Sequence, residues 1–221
     1  DLDAAKRAMA DHIDDLAERL VAISHDIHAH PETNFEEHHA HDVLCDALEA
    51  AGVATERHAH GLDTAFVARA GTEGPTIALC LEYDALPGLG HACGHNIIAA
   101  AGLGAGLAAA AVADACGGRV AIMGTPAEEG GGGKVFMIRD GAFAGVDAAM
   151  MIHPAGAELR SMHAIAIQTC FATYHGAAAH AAAAPHRGRN ALDAAVLGYV
   201  NVAALRQHIE PAERIHGTFT D

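Results

Sequence analysis

The sequence predicts an α/β fold in which helices cover a largely parallel sheet, and three observations support this prediction. Short apolar runs typical of strands alternate with longer helical runs over about the first 150 residues. Hydrophobic residues make up 51% of the 221-residue chain, which is enough for a sizeable core. Aromatic residues make up only 4%, so small side chains must fill much of that core.

Two helices are predicted before the first strand. Leucine and isoleucine recur at steps of four, three and four between positions 16 and 27, which is the spacing of one apolar helix face. We expect this helix over residues 4–28, ending before Pro31. A second helix is predicted over residues 35–52, where Gly52 provides the C-terminal cap.

Strands and helices then alternate along the chain. The predicted strands are residues 65–70, 76–81, 119–124 and 147–152. The predicted helices are residues 96–112, with Asn96 as the N-cap, and residues 132–140. After Pro154 the pattern changes to a strand at 164–172, a loop at 174–185 and a helix at 190–207. We therefore expect one domain over residues 1–163 and the beginning of a second over residues 164–221.

Composition and charge exclude several classes of partner. The formal net charge is −15, whereas nucleic acids and anionic membrane surfaces bind basic proteins. No transmembrane helix is expected, because no apolar run approaches about 20 residues, and no basic-then-apolar leader opens the sequence. The five cysteines are odd in number and widely spaced, which is typical of free or metal-bound thiols in a reducing compartment. We therefore expect a cytoplasmic protein.

Groups that can bind metal follow each of the three best-marked strands. These groups are Glu82, Asp84, His91, Cys93 and His95 after the first strand, Glu128 and Glu129 after the second, and His153 after the third. In an open α/β sheet, binding sites form beyond the carboxyl ends of the strands. Sulfur, nitrogen and oxygen ligands from three segments are therefore expected at one edge. Because the chain has 18 histidines, this convergence is more informative than any single histidine.

Two short motifs in these segments indicate metal chemistry. Cys93 and His95 are separated by one glycine and can turn toward one ion, and a thiolate with an imidazole suits zinc or a neighbouring transition metal. The adjacent Glu128 and Glu129 point in different directions, so one can bind metal while the other accepts a proton. The alternative for the first motif is a buried thiol beside a surface histidine. The alternative for the second is a pair of acids that only favour the N-terminus of the next helix.

Several runs of sequence resemble a known enzyme family. They are EYDALP at 82–87, GHACGHN at 90–96, PAEEGGGG at 126–133, His153-Pro154, HAHPE at 28–32 with Glu36 and Glu37, His175-Gly176 through His180, Pro185, and NALD at 190–193. Together they resemble the amidohydrolase branch of the aminoacylase/carboxypeptidase metallopeptidase superfamily. That branch includes hippurate, indole-acetyl-amino-acid and p-aminobenzoyl-glutamate hydrolases and related dipeptidases. The resemblance covers essentially the whole chain.

The resemblance implies a fold and an oligomeric state. It implies a zinc-peptidase-like three-layer sandwich into which an α+β lid, or dimerisation, domain is inserted. This chain would end inside that lid at Asp221, before a last histidine ligand of the family. The resemblance also implies a homodimer formed through the lid, in which His180 polarises the substrate carbonyl at the partner's site.

The resemblance further implies the metal content and the roles of the site residues. Two divalent ions are expected, with zinc as the first candidate and manganese or nickel as others. The implied metal ligands are Cys93, His95, Glu129 and His153. Glu128 takes the role of the general base that activates water, and Asp84 that of an acid that orients a ligand.

The sequence therefore predicts the metal-dependent hydrolysis of an amide bond. The expected substrate is an N-acyl amino acid, a p-aminobenzoyl-glutamate-like conjugate or a dipeptide. The run Glu82-Tyr83-Asp84 is closer to the p-aminobenzoyl-glutamate and dipeptidase-like members than to the indole-acetyl group. Two alternatives stay open, a hydrolase that uses Cys93 as its nucleophile and a metal-binding pseudo-enzyme or interaction protein.

Overall fold

The computed structural model of the protein describes residues 1–161 and 165–220. The chain divides into two compact units, Asp1–Ala157 and Glu158–Asp221. The first unit carries a five-stranded sheet with four α-helices, and the second carries one α-helix among its described residues. The assignment of residues 1–163 as part of a catalytic domain and of 164–221 as the beginning of a lid stays a prediction.

The helices and strands of the first unit follow the predicted order. The helices are α1 (Leu2–Ala29), α2 (His38–Ala50), α3 (His95–Cys116) and α4 (Gly133–Arg139). The strands are β1 (Ala54–Arg57), β2 (Phe66–Ala70), β3 (Thr76–Leu81), β4 (Arg119–Gly124) and β5 (Ala148–Met150). Strand β1 was not predicted, because its sequence ATER carries two charged residues and no apolar run.

The sheet is mixed, with the strand order β1-β2-β4-β3-β5. Strand β3 pairs in parallel with both β4 and β5, whereas β2 pairs antiparallel with both β1 and β4. The prediction of a largely parallel sheet is therefore wrong for the half that contains β1 and β2. The connections from β1 to β2 and from β2 to β3 are too short for a crossover helix, so these successive strands alternate in direction.

Both faces of the sheet are buried at its central strands β2, β4 and β3, whereas the edge strand β5 is exposed. Alternate residues of β4 point to opposite faces, so Val120 and Ile122 belong to the main core, and Ala121 and Met123 belong to a smaller cluster. The main core includes buried residues of α1, α2 and α3. The smaller cluster is covered in part by Phe143. This is the layered arrangement that the sequence predicted.

Helix α3 is the central helix of the first unit. By length and composition alone it is apolar enough to span a membrane, contrary to the expectation from the sequence. Most of it is buried inside the unit, however, where it packs on α1, β3 and β4. Glycines allow this packing, since a Cβ atom on Gly102 would lie 2.7 Å from Leu81 and one on Gly106 would lie 2.7 Å from Ile122.

The second unit contains the predicted helix, but its described residues do not form the predicted strand. Helix α5 (Ala191–Leu205) begins after Asn190, whose side chain accepts a hydrogen bond from Leu192 N. A strand was predicted at 164–172, but residues 165–172 form none, and residue 164 lies outside the described residues. Ile167 and Phe171 are 89% and 86% exposed, so no segment among the described residues gives this run a pairing partner or a core to face.

We predict that Gly106→Ala destabilises the protein although alanine is the better helix former. The new methyl group would meet three side-chain atoms of the buried, β-branched Ile122, the nearest at 2.7 Å. Overpacking costs about 1–3 kcal/mol, against a helix-propensity gain of about 1 kcal/mol. Urea unfolding should show a net loss of up to about 2 kcal/mol. The loss should shrink in an Ile122→Val background, and equal losses in both backgrounds would contradict the packing argument.

Candidate metal centre

The site lies at the sheet edge where the parallel strands end. Because β4, β3 and β5 are parallel neighbours, their carboxyl ends lie at the same edge. The turn after β3 carries Glu82 and Asp84, and the turn after β4 carries Glu128 and Glu129. His153 follows β5 within three residues. The three segments therefore meet as the sequence predicted.

The buried carboxylate of Asp84 joins two of these segments. Its Oδ1 lies 2.9 Å from His95 Nδ1, and its Oδ2 accepts a hydrogen bond of 2.9 Å from Glu129 N. Burial alone would raise the pKa of Asp84 and lower that of His95. Burial is the largest single effect on each pKa, but the other contributions together outweigh it. Their mutual hydrogen bond and opposite charges, with the Glu129 N–H for Asp84 and the carboxylates of Glu82 and Glu129 for His95, leave the pKa of Asp84 below its ordinary value and that of His95 above it.

The other ring nitrogen of His95 faces carboxylates. His95 Nε2 lies 3.5 Å from Glu82 Oε2, 3.8 Å from Glu128 Oε2 and 3.7 Å from Glu129 Oε1. His95 is buried, and its Nε2 has no hydrogen-bond partner among the described residues. Because His95 Nδ1 is engaged by Asp84, Nε2 is the nitrogen left for a ligand.

Cys93 and His153 form a cluster of possible metal ligands with His95. One donor atom from each of Cys93, His95 and His153 lies within 4.8 Å of the others. Gly94 makes this arrangement accessible, because it adopts a φ of 85° and because a Cβ there would lie 2.7 Å from Pro154. Gly94 also precedes α3 as its N-cap, so the prediction of Asn96 as the cap is wrong. The side chain of Asn96 instead donates to Ser24 Oγ.

The donors fit a divalent cation. His95 Nε2 and Glu129 Oε1 are buried polar atoms without a hydrogen-bond partner in the described part of the chain, and one ion would satisfy both. Burial and the neighbouring Glu129 carboxylate raise the pKa of Cys93 to about 11. A thiolate at this position therefore needs a compensating positive charge, and sulfur, nitrogen and oxygen donors together suit a transition metal.

Glu128 is arranged differently from Glu129. Its side chain is 46% exposed, whereas that of Glu129 is 19% exposed. Burial raises the pKa of Glu128, and repulsion from Glu82 and Glu129 raises it further. The side chain thus combines access to solvent with an increased affinity for a proton, as a general base requires.

Comparisons with known proteins agree with this geometry. No family model matches the chain. It is 44% identical over 232 aligned positions to mouse Xaa-Arg dipeptidase, covering 98% of this chain and 54% of the relative. It is 38% identical over 235 positions to a subunit of the p-aminobenzoyl-glutamate hydrolase of Escherichia coli, covering 97% of this chain and 49% of the relative.

A solved structure extends the comparison to the fold. A dinuclear metal-binding peptidase of the M20 family from Bacillus subtilis matches with a TM-score of 0.54 and 29% identity, over 60% of this chain and 41% of that chain. The chain belongs to the M20 peptidase family. The resemblance inferred from the sequence motifs is therefore confirmed. This M20 chain spans about half the length of the curated relatives it matches.

The roles of individual residues in this M20 chain stay predictions, although the geometry brings most of them together. Of the predicted ligands, Cys93, His95 and His153 offer donor atoms within 4.8 Å of one another. Glu129 Oε1 and Glu128 Oε2 lie 3.7 and 3.8 Å from His95 Nε2, and Asp84 contacts the other ring nitrogen of His95. His180 lies in the second unit. Its Nδ1 accepts hydrogen bonds from Ala182 N and Ala183 N at 3.3 and 3.1 Å, which is a local turn.

Sequence reasoning missed the supporting contacts of Glu82. This carboxylate is buried, contacts Lys134 Nζ and lies 3.5 Å from His95 Nε2. With His95 and Glu128 it forms a second group of donors within 4.8 Å of one another. The position of Glu82, two residues before Asp84, indicated a place near the site. Its contact with Lys134, 52 residues away, could not be inferred from the spacing.

Glu37 is a second supporting residue without an assigned role. Its side chain is fully buried, and its Oε1 accepts a hydrogen bond of 2.9 Å from Ala127 N. Its Oε2 accepts a hydrogen bond of 2.9 Å from Thr64 Oγ1. Ala127 precedes Glu128 and has a φ of 57°, which is rare for a residue other than glycine. Glu37 therefore holds the backbone of the Glu128 turn in an uncommon conformation.

We predict that Glu37→Ala destabilises the protein more than Glu36→Ala does. The first substitution leaves Ala127 N–H and the Thr64 hydroxyl buried without acceptors, at about 1–3 kcal/mol for each group. Glu36 is exposed, so its loss should change stability by about 0.5 kcal/mol or less. Urea unfolding of both variants measures the difference, and similar stabilities would show that Glu37 does not support the turn.

Proposed function

We propose that this chain carries the metal-binding part of an active site that hydrolyses an amide bond. The observation that carries the proposal is the buried His95 Nε2, which has no partner in the described residues and faces three carboxylates beside Cys93 and His153. The similar proteins named as a dipeptidase and a p-aminobenzoyl-glutamate hydrolase support a substrate that is a dipeptide or an acyl-amino-acid conjugate. N-acyl amino acids belong to the same chemical class.

We propose that two divalent ions bind here, as in the similar dinuclear peptidase. Cys93, His95, Glu129 and His153 would hold them, with zinc as the first candidate and manganese or nickel as alternatives. A bound ion would lower the pKa of a coordinated water and polarise the substrate carbonyl.

The protein's own contribution to catalysis would come from Glu128 and Asp84. Glu128 would accept the proton of the attacking water while the water oxygen bonds to the carbonyl carbon. It would then return the proton to the amine nitrogen as the C–N bond breaks. Asp84 would keep His95 oriented, because its hydrogen bond fixes the proton on Nδ1 and leaves Nε2 facing the site.

The two alternatives have less support. A nucleophilic cysteine needs a lowered pKa, whereas the pKa of Cys93 is raised to about 11 by burial and by carboxylates. A protein that only binds metal would not need a carboxylate with a raised pKa that is open to solvent, as Glu128 is.

We also propose that the protein is a homodimer and that His180 acts on the substrate carbonyl of the partner's site. Helix α5 supports the dimer, because Leu192, Leu197 and Val200 are 65%, 63% and 55% exposed. Apolar side chains exposed together on one helix are typical of an interface. A cytoplasmic location is proposed from the odd number and wide spacing of the five cysteines.

Glu128→Gln and Glu129→Gln should fail in different ways. Glu128→Gln cannot accept the proton, so turnover should fall by roughly 10²–10⁴-fold while the metal content stays near that of the wild type. Glu129→Gln weakens a proposed ligand, so metal content and turnover should fall together, and excess metal should restore part of the turnover. Metal analysis and hydrolysis of a dipeptide and of p-aminobenzoyl-glutamate provide the measurements. A fully active Glu128→Gln enzyme would refute the role of Glu128.

Leu197→Glu should convert the dimer to a monomer, because it places a charge in the proposed apolar interface. Gln207→Glu is the matched control, since it adds the same charge after the end of α5, where no apolar face is interrupted. Light scattering at micromolar concentration should show a dimer for the wild type and for the control. A wild-type monomer, or a dimeric Leu197→Glu variant, would show that α5 does not form the interface.

A further inference from the structure

A cluster of nitrogen and oxygen donors lies between α1 and α2, and none of its members belongs to the centre around His95. Asp26 and His30 stand at the C-terminal end of α1, and His39 stands in the first turn of α2. His39 Nε2 lies 2.9 Å from Asp26 Oδ2, and His30 Nδ1 lies 3.3 Å from Asp26 Oδ1. One donor atom from each residue lies within 4.8 Å of the other two.

The spacing of these donors is that of ligands around one ion. Two donors at about 2.0–2.2 Å from a metal, in tetrahedral or octahedral geometry, are about 2.8–3.6 Å apart. The two distances to the Asp26 carboxylate are 2.9 and 3.3 Å. The two imidazole rings are also neighbours, with centroids 4.3 Å apart. Two histidines and one carboxylate are a ligand set that binds divalent transition metals.

The backbone around the cluster holds the donors in place. The carboxylate of Glu32 accepts hydrogen bonds from His39 N and Ala40 N at 2.9 and 3.1 Å, which fixes the start of α2 and with it the His39 ring. At the end of α1, His30 N donates to Ile27 O rather than to Asp26 O. The Asp26 carbonyl lies instead 2.9 Å from His30 Nδ1.

The end of α1 also favours a cation. The C-terminal end of a long helix carries a partial negative charge from its last carbonyl groups. An ion that replaces the proton between His30 Nδ1 and the Asp26 oxygens would meet two nitrogens, a carboxylate and this carbonyl oxygen. The proton lost from Nδ1 would pass to solvent, because His30 is exposed.

We propose that Asp26, His30 and His39 form a second site for a divalent transition metal, with a structural role. The ion would join α1 to α2 across residues 31–37. This segment supports both turns of the centre around His95, because the Glu32 carbonyl accepts a hydrogen bond of 2.7 Å from Ala85 N, and the Glu37 carboxylate accepts one from Ala127 N. The ion would therefore stabilise the segment that holds the Asp84 and Glu128 turns.

Counting bound Ni²⁺ tests the proposal directly. The variants are His30→Asn and His39→Asn, and the matched control is His38→Asn, which removes an exposed imidazole next to His39 that is outside the cluster. All variants keep the centre around His95, so any Ni²⁺ bound there contributes equally to each. Equilibrium dialysis with metal analysis should give one ion fewer per chain for His30→Asn and His39→Asn than for the wild type and His38→Asn. Circular dichroism checks that each variant is folded.

Thermal unfolding gives a second readout. Ni²⁺ should raise the melting temperature of the wild type and of His38→Asn by more than that of His30→Asn or His39→Asn, because an ion that binds only the folded state stabilises it. The proposal is overturned if His39→Asn binds as many ions as the wild type, or if His38→Asn loses as much as His39→Asn. Neither result depends on turnover, so the proposed hydrolase activity stands or fails separately.

Discussion

The hydrogen bonds of the buried Asp84 carboxylate are the constraint on which the site depends. One oxygen binds the ring of His95 at the start of α3, and the other binds the backbone of Glu129 after β4. A buried carboxylate is costly unless both oxygens are satisfied, and here each has a partner. Two segments that are distant in sequence are therefore held in one register, and His95 Nε2 is left facing the centre of the site.

The parallel half of the sheet makes this arrangement possible. Strands β3, β4 and β5 end at one edge, so the turns that follow them must meet there. Close packing of α3 on β3 and β4 depends on glycines such as Gly106, and the turn between Cys93 and His95 depends on Gly94. Small residues at these positions therefore allow the helix, the strands and the loops of the site to approach one another closely.

The sequence predicted the elements that carry a local pattern. The apolar runs of β2, β3 and β4 and the amphipathic period of α1 were recognisable, and the acids, the cysteine and the histidines after the strands indicated where they would meet. Strand β1 could not be predicted, because its sequence contains no apolar run. The contacts of Glu37 with Ala127 and of Lys134 with Glu82 could not be predicted either, because the partners lie 90 and 52 residues away along the chain. Residues 165–172 form no strand although the sequence predicted one at 164–172, since an apolar run becomes a strand only beside another strand.

X-ray absorption spectroscopy of the zinc-loaded protein tests the central claim most directly. If Cys93, His95, Glu129 and His153 bind metal, the wild type should show a sulfur scatterer at about 2.3 Å beside nitrogen and oxygen scatterers at about 2.0–2.2 Å. Cys93→Ser should lose the sulfur scatterer and keep the others. A wild-type spectrum without sulfur, or a Cys93→Ser spectrum that retains it, would contradict the claim that the strand ends converge on a metal centre.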